Sequence, residues 1–118
     1  MKSSHKKILD NNMFEFIGTV EQVISSDEFD NLRVVYAITD PKRNEIVYIG
    51  HSEKGRNLRG RLKSHLKDRE KIGAVENKSH VYMHLMITEY SVLGEFEDKH
   101  GCLPKLNKKK SQIHPKFS

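Results

Sequence analysis

The stretch from Arg33 to His65, RVVYAITDPKRNEIVYIGHSEKGRNLRGRLKSH, constrains the fold more than any other part of the chain. It opens with two short apolar runs, Val34 to Ile38 and Ile46 to Ile49, both rich in β-branched and aromatic residues. Between them lies a cluster of turn formers, Asp40-Pro41-Lys42-Arg43-Asn44-Glu45. Two such runs around such a cluster predict a β-hairpin with a loop of about six residues. The second run ends at Gly50, whose bare backbone permits a turn or a close approach by another group. A basic helical pattern follows, carrying Leu58, Leu62, His65 and Leu66 on one face. Each strand therefore delivers a tyrosine, Tyr36 and Tyr48, and the helix delivers arginines beside them. Polar groups converging from three rigid elements are the makings of a site.

With 118 residues there is room for one small domain. Charged residues make up 31% and hydrophobic ones 36%, which suits a thin core or a core interrupted by a functional face. No run approaches the roughly 18 apolar residues needed to cross a membrane. Met1-Lys2-Ser3-Ser4-His5-Lys6-Lys7 leads into no apolar stretch, so no secretory signal is expected. Cys102 is the single cysteine, which excludes an internal disulfide and a cysteine-rich zinc site. The expected setting is reducing and intracellular, cytoplasmic or nucleoid-associated, with no structural metal.

The net charge of +5 is unevenly spread. Lys54 to Lys71 holds eight Lys or Arg against Asp68 and Glu70, and Lys99 to Ser118 holds six Lys and no acid. Asp10 to Asp30 holds six acidic residues and no Lys or Arg. Basic charge gathered in two segments points to a polyanionic partner, most simply nucleic acid. An ordinary solvated lysine-rich surface explains the tail equally well.

Met1 to Asn12 is polar and expected to be loosely ordered. Met13 to Ser25 alternates in part and reads as one strand with a bulge at Gly18, a helix over Glu21 to Ser25 being the other possibility. Ser26 to Leu32 is an acidic loop. After the hairpin, Ser52 or Asn57 can cap a helix running from Asn57 to about Ile72. His80 to Ile87 alternates with apolar residues in both sets, as in a strand covered on two faces. Thr88 can cap a last helix, whose buried stripe is Val92, Leu93 and Phe96 and whose end is set by Gly101 and Pro104. The expected fold is α/β: a small central antiparallel or mixed sheet of about three strands plus an N-terminal accessory strand, flanked by helices. Its divisions are an N-terminal extension over 1–31, a core domain over 32–107 and a basic tail over 108–118.

Val34-Val35-Tyr36, Tyr48-Ile49-Gly50 and Asn57-Leu58-Arg59-Gly60-Arg61-Leu62 resemble the GIY-YIG nuclease superfamily, and Pro104-Lys105-Leu106-Asn107 is similar to its closing motif. The resemblance covers about Leu32 to Asn107. It implies a metal-dependent DNA endonuclease with two strand tyrosines, a helical arginine and a later glutamate that holds a divalent metal. Val34-Val35 replaces the usual Gly-Ile, and His51 stands where a lysine or small residue is common. Glu53-Lys54-Gly55 and Gly101-Cys102-Leu103 look like insertions.

By that resemblance Arg61 is the arginine that supports the charge developing on a scissile phosphate. Arg59, its nearest competitor, points about 160° away around a helix, whereas Leu58, Arg61 and His65 share a face. Tyr36 helps activate the attacking water and Tyr48 positions the phosphate; with a pKa near 10 a tyrosine needs help to act as a base. His65 either transfers a proton or only contacts a phosphate. For the metal, Glu89 is chosen over Glu95 because Val92 and Leu93 follow it at helical spacing, whereas Asp98 and Lys99 follow Glu95. A single carboxylate suits Mg²⁺, with Mn²⁺ as a substitute, because Mg²⁺ keeps much of its hydration. Lys54, Arg56, Arg59, Lys63 and the Lys108-Lys109-Lys110 run would follow a DNA backbone. Gly50 and Asn107 are structural residues near the site, Asn107 pinning the end of the chain by hydrogen bonds.

The expected activity is hydrolysis of DNA phosphodiesters, with DNA as partner, no membrane, and a homodimer or a protein partner as possible assemblies. Its small size suggests a phage or mobile-element origin. Two rivals stand beside it: a catalytically silent nucleic-acid-binding module, and a basic adaptor of a larger nuclease or repair complex.

Overall fold

In a computed structural model the elements run α1 (Ser3–Asn11), β1 (Glu15–Thr19), α2 (Val20–Ile24), β2 (Val35–Thr39), β3 (Ile46–His51), α3 (Leu58–Lys67), β4 (His80–His84) and α4 (Glu89–His100). The structure describes residues 1–30, 33–52, 57–84 and 89–107, with backbone alone for 89–91. Thr88, Lys54, Arg56, Lys108, Lys109, Lys110, the Glu89 side chain and the far end of the expected strand at 85–87 lie outside the described residues. The four described strands form one antiparallel sheet in the order β1-β4-β2-β3. The fold is thus the α/β arrangement expected, with β1 as the accessory strand.

The hairpin β2–β3 forms because its two apolar runs each have one side to bury on either face. β2 is buried along its whole length, from Val35 to Thr39. Tyr36 and Ile38 face one side, where they pack with Val20, Val23, Leu58 and Leu62 of α2 and α3. Val35 and Ala37 face the other, where they pack with Ile8 and Leu9 of α1 and Val92, Leu93 and Phe96 of α4. In the hairpin loop the Asp40 carboxylate accepts from the backbone N–H of Asn44 at 2.6 Å and of Glu45 at 3.2 Å, the asparagine-like turn chemistry that the sequence cluster predicts.

Three expectations about element bounds need correction. The polar N-terminus is a helix, not a loose segment. Propensity does not hold it, since a nine-residue helix is marginal in water; docking does. Ile8 and Leu9 are buried, the His5 imidazole accepts from the Ile46 N–H at 2.9 Å, and Lys2 pairs with Glu45 at 3.0 Å. The strand over Met13 to Ser25 stops at Thr19, where a capping box starts α2, so the helical alternative holds for the end of that segment. The Thr19 hydroxyl accepts from the Gln22 N–H, and the Gln22 side chain accepts from the Thr19 N–H at 2.9 Å. The expected bulge is present, with the pairing register shifting between Phe16 and Gly18 and Gly18 at φ +135°. Lastly, α3 ends at Lys67 rather than near Ile72. Asp68 leaves the helical region, and its carboxylate accepts from the Glu70 N–H at 3.0 Å, turning the chain back.

Of the two candidate caps, Asn57 starts α3, accepting from the Gly60 N–H at 2.9 Å. Ser52 instead extends the β2–β3 ladder, accepting from the Val34 N–H at 3.1 Å. If α1 is part of the core, Ile8→Ala should lower the unfolding free energy by about 2–5 kcal/mol in urea titration. A loosely attached helix would give a change below about 0.5 kcal/mol.

Candidate active site

Tyr36 and Gly50 are directly paired across β2 and β3, and Tyr48 lies two residues from Gly50 on the same strand face. The Tyr36 side chain therefore crosses the strand over Gly50. A Cβ at Gly50 would meet Tyr48 Cε2 at 2.7 Å, Tyr36 Oη at 2.8 Å and Tyr36 Cζ at 2.9 Å. Glycine is required here for space. The tyrosine rings stand 6.1 Å apart, and the His65 ring from α3 packs at a tilt 4.5 Å from that of Tyr48.

His65 reaches this position because Leu58 and Leu62, on the same stripe of α3, are fully buried. Its Nε2 lies 2.6 Å from the Tyr36 hydroxyl, and its Nδ1 lies 2.7 Å from Lys71 Nζ. The Lys71 ammonium also stands 3.3 Å from the Asp68 carboxylate and 4.5 Å over the centre of the Tyr48 ring. Burial pushes the His65 imidazole from its ordinary value down to about 3, and the positive charges of Lys71 and then Arg61 add to the effect. It is neutral at physiological pH. Asp68 is held below the usual carboxylate range by the Glu70 N–H and then by Lys71.

Arg61 is half-buried on α3, four residues before His65 and close enough for its charge to depress that imidazole. Tyr36, Tyr48, Arg61 and His65 are thus gathered in one cluster beside Gly50. Arg59 points elsewhere. It forms a two-pronged ion pair with Asp30 in the acidic loop, with Nε donating to Oδ1 at 2.7 Å, and Asp30 raises the guanidinium pKa. Lys63 is exposed on α3. Asn107 binds the outer edge of β3, its amide donating to the Ile49 carbonyl at 2.8 Å and accepting from the Ile49 N–H at 2.9 Å. Among the acidic candidates, Glu95 accepts from the Asn12 side chain at 2.7 Å, next to α1 and on the sheet face opposite Tyr36. Glu89 is the first residue of α4 and follows His84 by five. His84 and Val35 are paired, as are Met83 and Tyr36, so α4 opens soon after the sheet end that carries the cluster.

The cluster contains two residues that sequence reasoning missed, Lys71 and its partner Asp68. A helix continued to Ile72 would turn Lys71 about 120° from His65. The available signal is Asp68 itself, an acid that terminates helices and turns the backbone by bonding an N–H two residues on.

The family model of the GIY-YIG catalytic domain matches residues 33–99. No curated protein and no solved structure gives a significant match.

Two glycines should respond to alanine with opposite signs. Gly50→Ala should destabilise by about 1–3 kcal/mol by overpacking. Gly94→Ala in α4, where a Cβ would meet nothing within 4 Å, should stabilise by about 0.5–1 kcal/mol. Chemical denaturation checks both. The buried His65 also sets a pH dependence. Below the ordinary imidazole value of 6.5 the unfolded chain binds a proton that folded His65 refuses until about 3. Stability should therefore fall as pH drops through that window, by about 1.4 kcal/mol per unit from this group. His5, also lowered by burial, adds in the same direction. Urea midpoints between about pH 7 and 5 should show a shallower slope for His65→Gln.

Proposed function

The chain belongs to the GIY-YIG nuclease family, and from that premise we propose that it is a divalent-metal-dependent DNA endonuclease whose centre is Tyr36, Tyr48, Arg61, His65 and Glu89. The observation that carries this reading is the convergence of two strand tyrosines, a neutral buried histidine and a helical arginine beside a glycine that has no room for a side chain. A histidine buried with its basicity suppressed, between a phenol and two cations, is the kind of group that is concentrated at functional sites.

In the proposed reaction, water attacks phosphorus in line with the departing ester oxygen, forming one P–O bond as the other breaks. The Tyr36 hydroxyl, held by His65, orients the water. Arg61 lies against the equatorial oxygens and offsets the charge that builds on them. Tyr48, packed against His65, fixes the position of the phosphate. Family members are generally metal-dependent, and a single carboxylate with water and phosphate oxygens would suit a hydrated hard cation. Asp68, the carboxylate described in the cluster, is engaged by Lys71 and the Glu70 N–H, and we assign the metal to Glu89. The engagement of Glu95 with Asn12 supports Glu89 over Glu95. Bound there, Mg²⁺ would supply Lewis acidity toward a phosphate oxygen.

Lys63 supports a backbone-following surface along α3, with Lys54, Arg56 and the Lys108–Lys110 run as its proposed extensions. Such contacts predict affinity that falls steeply with salt and depends little on sequence. Arg59, spanned by Asp30, would contribute by exchanging that partner for a phosphate.

Purified protein with supercoiled plasmid and Mg²⁺ or Mn²⁺ should nick or linearise it, and EDTA should abolish this. Tyr36→Phe, Arg61→Ala and Glu89→Gln should each reduce the rate by at least about 100-fold. Salt-sensitive binding without cleavage of plain, branched or modified DNA under any metal would establish the silent binding module instead. Cleavage retained by Glu89→Gln would move the metal to another carboxylate.

A further inference from the structure

We propose that Lys71 is a positioning residue of this centre, fixing His65 as the Nε2–H tautomer so that the imidazole donates to Tyr36 and cannot receive its proton. The tautomer stands on geometry alone; its catalytic consequence rests on the function proposed above.

A lysine ammonium has three protons to give and no lone pair. At 2.7 Å from His65 Nδ1, Lys71 Nζ can only donate, so Nδ1 must present its lone pair. A neutral imidazole carries one N–H, which is then on Nε2. That N–H faces the Tyr36 oxygen at 2.6 Å, making Tyr36 the acceptor of this bond. Two further contacts hold Lys71 in place, the Asp68 carboxylate at 3.3 Å and the Tyr48 ring at 4.5 Å. Both favour a cation there. The Lys71 side chain is only 13% exposed, so water competes poorly for the ammonium.

The consequence is specific. If Lys71 were absent, His65 could adopt the opposite tautomer and take the Tyr36 proton, as in a serine–histidine pair. With Lys71 present that route is closed. The His65 N–H instead donates to the neutral Tyr36 oxygen, leaving the phenol its own proton. Tyr36 then works as a hydrogen-bond acceptor toward the attacking water, with its own O–H directed away from His65. The groups packed around His65 that bear on its protonation are Lys71, Asp68, Arg61, Tyr36 and Tyr48. No carboxylate among the described residues bonds the imidazole directly.

Long-range ¹H–¹⁵N correlation of the full chain, labelled at histidine nitrogens, reads the tautomer without any substrate. Wild type should show His65 with a protonated Nε2 and an acceptor Nδ1. A protonated Nδ1 in wild type would overturn the proposal outright. Lys71→Met should move His65 toward the other tautomer, and Lys71→Arg, which keeps a donor, should restore the wild-type pattern. In single-turnover plasmid cleavage Lys71→Met should slow the chemical step by about 10- to 100-fold, the scale of outer-shell partners of a functional histidine. Substrate affinity should stay nearly constant, and Lys71→Arg should recover most of the rate. Equal rates for Met and wild type, or an Arg variant as slow as Met with the wild-type tautomer restored, would overturn the positioning role. If wild type itself cleaves nothing while the spectra show the expected tautomer, the nuclease reading fails and the assignment of Lys71 to His65 stands.

Discussion

The contact between His65 and Tyr36 is the interaction on which the rest of this structure depends. An imidazole that is 4% exposed has lost the water that would stabilise its charged form. It persists because both ring nitrogens have partners, Tyr36 on one side and Lys71 on the other, and its ring packs at a tilt against Tyr48. Each partner imposes a requirement elsewhere. Tyr36 must come from a central strand buried on both faces. Gly50 must lack a side chain. The stripe Leu58–Leu62–His65 must stay in phase, and α3 must stop at Lys67 so that the following turn can return Lys71 to the ring.

The sheet separates these demands. One face carries the cluster and is closed by α2 and α3; the other is an apolar layer under α1 and α4. The terminal segments serve the site although none of the cluster's described side chains comes from them. α1 fastens the hairpin through His5 and Ile46. The Asn107 amide satisfies both backbone groups of Ile49 on the outer edge of β3, one residue from Gly50. An edge strand with paired backbone groups is also protected against pairing with another chain.

Much of this was legible in the residues. The hairpin and its turn followed from alternation and from Asp40, and the buried stripe of α4 followed from Val92, Leu93 and Phe96. Tyr36, Tyr48, Arg61 and His65 were singled out by motifs that resemble the family's, and strand and helix periods, which are short-range, place them on neighbouring faces. What escaped depends on longer-range contact. The helix α1 has only two buried aliphatic residues, and docking rather than propensity forms it. The end of α3 was overrun because Asp68 looks like one more charged helical residue until its carboxylate is seen bonding the Glu70 N–H. Lys71 was missed for the same reason, since its closeness to His65 exists only after that turn. Arg59 read as a cation awaiting a phosphate because its partner, Asp30, lies far away in sequence.

The most direct measurement of the central claim is a double-mutant cycle on single-turnover DNA cleavage, combining Tyr36→Phe with His65→Gln. If the hydrogen-bonded pair acts as one unit, the double variant should be hardly slower than the worse single variant, because either change already breaks the unit. Losses that multiply would mean that the two side chains act independently, and would contradict an account built on their contact.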